Sequence, residues 1–151
     1  MSQAESIAQA LGHYHTYRSK YGEASLVNRI PVVNKQGNAF LSKDTITGER
    51  FHYFSEGAKK LVIELELDDV VIFLVHLSLR YRIRQSQLHD LYSLVAGTKK
   101  PVVVAGDFNA LWGDREIGLF MAATGLTNAN TEGHPSYPSW TPKRQLDFVL
   151  H

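Results

Sequence analysis

From residue 59 onward, apolar and polar positions alternate with the periods of strands and helices in turn. The stretch "KKLVIELEL" (59 to 67) sets Leu61, Ile63, Leu65 and Leu67 on one face and Glu64 and Glu66 on the other, the pattern of a strand with one buried face. "VVIFLVHLSL" (70 to 79) is apolar on both faces, as a central strand is, and Asp68-Asp69 between the two runs signals a hairpin. "RIRQSQLHDLYSLVAG" (82 to 97) places Ile83, Leu88, Leu91 and Val95 near the helical period, with Gly97 as the stop. "PVVVAGD" (101 to 107) predicts a second buried strand. "GDREIGLFMAATG" (113 to 125) predicts a helix capped by Asp114. A loop rich in Asn, Thr, Gly and Pro spans 127 to 143, and "QLDFVLH" (145 to 151) is an apolar terminal strand.

The first third is less periodic. "SQAESIAQALG" reads as a short helix with Ser2 as cap, Glu5 three residues on, a stripe of Ile7, Ala10 and Leu11, and Gly12 as stop. "GNAFLSK" (37 to 43) and "FHYF" (51 to 54) read as short strands around a turn at Thr47-Gly48. Strand, helix, strand, helix, strand over residues 70 to 151 indicates an α/β layer fold, with hairpins added by the first half. At 151 residues, a single domain over 1–151 is expected.

Composition narrows the chemistry. A formal charge of +1 leaves no strongly basic field, so an anionic substrate has to be gripped locally. The lack of cysteine excludes disulfides, thiolate metal sites and cysteine nucleophiles, and fits a reducing compartment. The start lacks the basic flank and apolar core of a signal peptide, and no apolar run is long enough for a membrane span. A soluble, cytoplasmic protein is the expectation.

Three apolar strands carry polar residues at or near their C-terminal ends: His76, then Asp107 and Asn109, then Asp147. Catalytic groups of α/β folds gather at such ends, where a rigid scaffold meets loop freedom. On an extended strand Asp107 and Asn109 would point the same way, roughly 6.5 Å apart at the backbone, and face one anion or hydrated cation. Gly106 removes a side chain there and permits close approach. Each residue also has a structural alternative. Asp107-Phe108-Asn109 can be a turn satisfied by its own side chains. His76 can be a hydrogen-bonded core residue. Asp147, between Leu146 and Phe148, reads as a buried carboxylate that needs a partner, with Arg144 as the structural choice and a histidine as the catalytic one.

"GDFNA" after an apolar strand, "HLSLR" followed by Arg84-x-x-Gln87-x-x-x-Leu91, "GNAFLSK" and the terminal "LDFVL" resemble the endonuclease/exonuclease/phosphatase superfamily, in its motif order and over nearly the whole chain. The resemblance implies a four-layer sandwich of two mixed β-sheets flanked by helices, and Mg²⁺- or Mn²⁺-assisted hydrolysis of a phosphodiester or phosphomonoester. It implies that Asp107 orients or deprotonates the attacking water and stands near the metal. Asn109 would donate to the phosphoryl oxygen, His76 would hydrogen-bond the phosphate, and Asp147 would hold a catalytic histidine in its working tautomer. A histidine in the "HL" motif resembles the deoxyribonuclease, sphingomyelinase and phosphatase branches, so nucleic acid, a phospholipid head group and an inositol phosphate are all candidate substrates. Lys59, Lys60, Arg80, Arg82 and Arg84 could bind phosphate or form a solvated basic face, and Lys60 and Arg80 are taken as the substrate contacts. Trp140 and Tyr137 could stack on substrate or pin their loop, and Trp140 is taken as a contact.

The chain departs from the family pattern at both ends. The first motif has no counterpart, the Gln-Glu motif that supplies the principal metal ligand would precede residue 1, and the final Ser-Asp-His would follow His151. The expectation is a fold incomplete at both termini, with little activity alone, weak magnesium binding and exposed sheet edges that favour self-association or a local rearrangement covering them. The alternative function is a non-catalytic interaction or structural domain on the same fold.

Overall fold

The computed structural model describes residues 3–19 and 37–151. In these, α1 (Gln3–Leu11), β1 (Tyr14–Ser19), β2 (Gly37–Ser42), β3 (Gly48–Tyr53), β4 (Leu61–Glu66), β5 (Val71–His76), α2 (Tyr81–Ala96), β6 (Val102–Asp107), α3 (Asp114–Thr124) and β7 (Asp147–Leu150) follow in order. The hairpin at Asp68-Asp69 makes β4 and β5 antiparallel, while the α2 crossover lets β5 and β6 run parallel. The main sheet has the order β3-β4-β5-β6-β7, and β1 and β2 form a separate antiparallel pair.

Alternation along each strand divides the apolar residues between two faces. Val71, Phe73, Val75, Val104, Phe148 and Leu150 pack against Leu88, Leu91 and Val95 of α2 and Ile117 and Phe120 of α3. On the opposite face Leu61, Ile63, Leu65 and Leu67 gather with Phe40 of β2, Phe51 of β3, and Ile72 and Leu74 of β5. The β1–β2 pair therefore lies over that second face, tied further by Thr16 Oγ1 donating to the Glu49 carboxylate, and α1 packs on the pair. The layers are α2 with α3, the mixed sheet, the antiparallel pair and α1, an α+β sandwich of the expected kind. No helix among the described residues is long and apolar enough to cross a membrane.

Several local expectations are corrected. In α1 the buried side chains are Ala4 and Ala8, while Ile7 and Leu11 are exposed, because the small alanines allow the helix to sit close on the strands beneath. The proposed cap Ser2 lies outside the described residues. Asp114 opens α3 as its first helical residue, and the preceding position belongs to Gly113 at φ 64°, with no side-chain cap. The outer edge of β7 is covered within the chain itself. Thr127 N–H donates to the His151 carbonyl (2.8 Å), His151 N–H to Thr127 (3.0 Å) and Ala129 N–H to Val149 (2.9 Å).

Glu64, placed by alternation on a polar face, is buried. That face is covered by α2, so the carboxylate requires partners, and β3 supplies them across the strand pair. Arg50 Nε donates at 2.9 Å, its Nη2 donates to the same oxygen, and His52 Nε2 lies 2.5 Å from the other. Burial disfavours the charged carboxylate, but the hydrogen bonds from Arg50 and His52 and their charges outweigh it and hold Glu64 below its ordinary value of 4.5. A carboxyl lowered in the folded state stabilises the fold above its unfolded pKa, and this is lost as pH falls through the folded one. Glu64→Gln is expected to cost about 1–3 kcal/mol at neutral pH and to flatten the loss of stability on acidification, as read by urea melts at successive pH values. An unchanged acid limb in the variant would contradict this assignment.

Candidate active site

Three neighbouring strands bring their polar residues to one edge of the sheet in register: His76 is the cross-strand partner of Asp107, and Asp107 of Asp147. Cross-strand partners point to the same face, here the one opposite α2 and α3. His76 Nε2 lies 3.3 Å from Asp107 Oδ2, both side chains being partly exposed. Lys59, just ahead of β4, brings Nζ onto the same Nε2. That nitrogen either accepts from Lys59 or donates to Asp107, depending on where the imidazole carries its proton. The trio thus gathers a cation and a carboxylate around one nitrogen of a titratable ring, which can pair with either.

The register depends on Gly106. Its φ is +140°, and a Cβ there would lie 2.0 Å from the Val75 carbonyl oxygen. The close approach that this glycine permits is therefore that of the neighbouring strand, rather than of a ligand. Asn109 departs from the extended spacing expected of it. β6 ends at Asp107, and Asn109 takes φ 50°, a left-handed conformation that Asn tolerates. Its N–H donates to Asp107 Oδ1 (2.9 Å) and its Nδ2 to the Leu77 carbonyl (2.8 Å), with the side chain buried. The local turn that the sequence allowed as an alternative is formed, yet it occupies one carboxylate oxygen and leaves Oδ2 toward His76.

Asp147 is exposed, which corrects the expectation of a buried carboxylate: Phe148 and Leu150 take the inward positions of β7, and Asp147 points to the other side. Arg144 serves the loop instead, its carbonyl accepting from Ser136 N–H (2.8 Å) and Tyr137 N–H (2.9 Å). Of the residues taken as substrate contacts, Lys60 donates from Nζ to the Ser55 carbonyl (3.0 Å), while Arg80 and Trp140 are exposed. It is Lys59, and not Lys60, that reaches His76.

Arg84 is corrected more sharply, since it is completely buried and belongs to no solvated face. Its Nε donates to Glu116 Oε2 (2.9 Å), Nη2 donates to the same oxygen, and Nη1 donates to the carbonyls of Ser78 (2.8 Å) and Leu79 (3.0 Å). Gln87, also buried, donates from Nε2 to the carbonyls of Glu56 (3.0 Å) and Lys59 (2.8 Å) and accepts from Ser78 N–H (2.8 Å). Two side chains of α2 thus fix the segment carrying Lys59 and the segment that leaves His76, and through Glu116 they reach the turn after β6. The sequence marks Arg84 and Gln87 as motif positions, but their buried tying role is missed there because polar residues at helical core spacing look like a weak amphipathic face. It also passed over Trp112, whose one signal is an aromatic residue in a turn directly after a site-bearing strand.

Among the described residues no three His, Asp or Glu side chains converge in a way that could hold a metal ion. Asp107 and Asp147 supply two carboxylates, so the residues present do not by themselves complete a magnesium site. A cavity of about 460 Å³, lined by Arg50, Glu64, Glu66 and Lys100, lies at the start of β5, the other end of the sheet from His76.

A model of the Endonuclease/Exonuclease/phosphatase family matches residues 1–151. No curated protein sequence matches the chain. Among solved structures, the human nocturnin catalytic domain with bound sulfate superimposes with a TM-score of 0.69 at 22% identity, covering 98% of this chain and 63% of that one. A 3'-5' exonuclease from Neisseria meningitidis gives 0.67 at 14% identity, over 98% and 70% of the two chains. Sphingomyelinase C from Streptomyces griseocarneus gives 0.58 at 22%, over 75% of this chain and 51% of that one. At these identities the likeness establishes the fold alone. The chain spans between half and two thirds of the nocturnin and sphingomyelinase structures.

Two substitutions test the scaffold of the site. Gly106→Ala is expected to destabilise the protein by about 3 kcal/mol or more, because its Cβ meets backbone that cannot move without parting β5 from β6. A wild-type melting curve for this variant would contradict the close strand approach. Arg84→Met is expected to cost about 3–5 kcal/mol by leaving Glu116 buried without its cation, and adding Glu116→Leu should recover much of that loss. A cost below about 1 kcal/mol for the single substitution would show that the pair is not sealed from water.

Proposed function

This chain belongs to the endonuclease/exonuclease/phosphatase family, and on that premise we propose that the edge carrying His76, Asp107 and Asp147 hydrolyses a phosphate ester. The observation that supports this most strongly is the His76–Asp107 contact made by register, with Lys59 on the same imidazole. In this reading Asp107 Oδ2 orients the attacking water and takes its proton as the water oxygen bonds to phosphorus, the ester P–O bond breaks, and the leaving oxygen is protonated from solvent. Lys59 and His76 donate to the phosphoryl oxygens as charge builds on them, which is where preorganised donors lower a barrier most. Asn109 acts from behind: its N–H fixes the Asp107 carboxylate, and its amide holds Leu77, the residue after His76. Asp147, exposed and paired with Asp107 across the strands, is proposed to orient a catalytic histidine, the role that the resemblance implies for it.

Enzymes of this family generally use divalent metal ions. A Mg²⁺ or Mn²⁺ site built around Asp107 needs further oxygen donors beyond those the described residues gather. Activity of the 151-residue chain alone is therefore proposed to be low. Self-association is proposed through the outer edge of β3, since that of β7 is covered by residues 127–129. The lack of cysteine fits a reducing compartment such as the cytoplasm. The turn at Asp107 and Asn109 supports a second reading, a non-catalytic domain on the same fold.

Hydrolysis of bis-p-nitrophenyl phosphate and of DNA in Mg²⁺ or Mn²⁺, by this chain and by a longer form carrying the flanking motifs, separates the two. The catalytic reading expects Asp107→Ala and His76→Ala to lower turnover by about two orders of magnitude or more with the circular dichroism spectrum unchanged. Turnover that survives both substitutions in a folded protein would remove these residues from the chemistry. No turnover in either form would favour the non-catalytic domain.

A further inference from the structure

We infer that Tyr81 and Trp112 form a stacking platform for the bases of a single-stranded nucleic acid, an inference that names the substrate class of the site proposed above and rests on that reading. Trp112 is 66% exposed and Tyr81 53%, although each ring is large enough to add substantially to a core. They are nevertheless held in place. Their rings meet edge to face, with centroids 6.4 Å apart and planes at 75°. The backbone N–H of Trp112 donates to Glu116 Oε1 (2.9 Å), and the Arg84 guanidinium lies 5.9 Å from the centre of the Tyr81 ring. The buried Arg84–Glu116 pair therefore anchors the backbone that carries Trp112 and one side of the Tyr81 ring, and the indole is held against Tyr81 by the edge contact, which lowers the ordering required when a flat ligand binds. Their position is equally specific: Tyr81 follows the strand that ends in His76, and Trp112 follows the strand that ends in Asp107.

The surroundings select the ligand. Arg80 and Arg82 flank Tyr81 and are exposed, and Arg115 is exposed in the first turn of α3, beside the exposed Asp114. In a chain of net charge +1 these exposed arginines lie close in sequence to the two aromatic residues. Ring faces bind nucleobases, guanidinium groups bind the phosphates between them, and only an unpaired strand offers free base faces. An inositol phosphate has no flat π face to stack. A lipid surface would engage the exposed Leu79 as well, and is the outcome against which the test is set.

The chain has two tryptophans, and Trp140→Phe, which keeps a ring at that proposed contact and whose affinity is compared with the unsubstituted chain by anisotropy, leaves Trp112 as the sole tryptophan reporter. This variant is titrated with an oligothymidylate of about ten nucleotides, a length that fills a typical single-strand site, in EDTA, so that binding is read without hydrolysis. Saturable quenching of Trp112 is expected. Binding of a labelled oligonucleotide, followed by anisotropy, should weaken about 5- to 150-fold in Trp112→Ala and in Tyr81→Ala, and be largely restored in Trp112→Phe. An abasic oligonucleotide of equal charge should bind more weakly and be indifferent to these substitutions. Equal affinity for the two oligonucleotides, or no effect of either alanine, would overturn the platform. So would a blue shift of Trp112 on phosphatidylserine vesicles with no response to the oligonucleotide. Base-dependent binding in a chain whose hydrolysis ignores His76 and Asp107 would leave the platform standing and remove the catalytic reading alone.

Discussion

A guanidinium sealed from water dictates where its neighbours go, and among the described residues Arg84 is one of the largest side chains buried completely. Without partners the desolvation of that charge would cost several kcal/mol, so the structure has to supply acceptors in the geometry of the fork. It draws them from Glu116 of α3 and from the carbonyls of Ser78 and Leu79. One turn further along α2, Gln87 imposes the same demand through an amide and meets it with Glu56, Lys59 and Ser78. These bonds are local in energy and long in reach. They fasten the entrance to β4, the exit from β5 and the turn after β6 to a single helix.

The second constraint is steric. The β5–β6 pair can close only because residue 106 has no side chain, and that closure sets His76 beside Asp107. Together, the polar ties of α2 and the bare backbone at Gly106 place a lysine and an aspartate at one nitrogen of a histidine, with little conformational freedom left in their loops. Preorganisation of this kind is what an electrostatic site requires, because donors that are already placed cost no reorganisation when charge develops.

The strands and helices from residue 59 onward were legible because period and burial agree there: Val71 to His76 and Val102 to Asp107 read as apolar strands and are strands. The candidate residues at their ends were legible because a polar residue closing an apolar run is conspicuous. What could not be read has a common cause, namely partners brought by tertiary contact. Glu64 looks solvent-facing until β3 and α2 cover it, and Arg84 looks like a surface cation until α3 arrives with Glu116. Lys59 and Lys60 are adjacent and chemically identical, and only the path of the chain into β4 decides which one meets His76. Asp147 shows the reverse error. Flanking leucine and phenylalanine suggested a buried carboxylate, but alternation on a short outer strand turned it outward.

The two ends of the sheet carry different chemistry. At the start of β5, Arg50, Glu64, Glu66 and Lys100 neutralise one another around a cavity and serve stability. At the other end, Lys59, His76 and Asp107 meet with their polar atoms only partly covered. The central claim is that a phosphate ester is met at this second end. The most direct measurement is a titration of the ¹⁵N-labelled protein with dimethyl phosphate, followed by amide proton–nitrogen correlation spectra. The largest shift changes are predicted at Lys59, His76, Leu77, Asp107 and Asn109. Changes confined to the residues around Arg50, Glu66 and Lys100, or none at saturating phosphate diester, would contradict it.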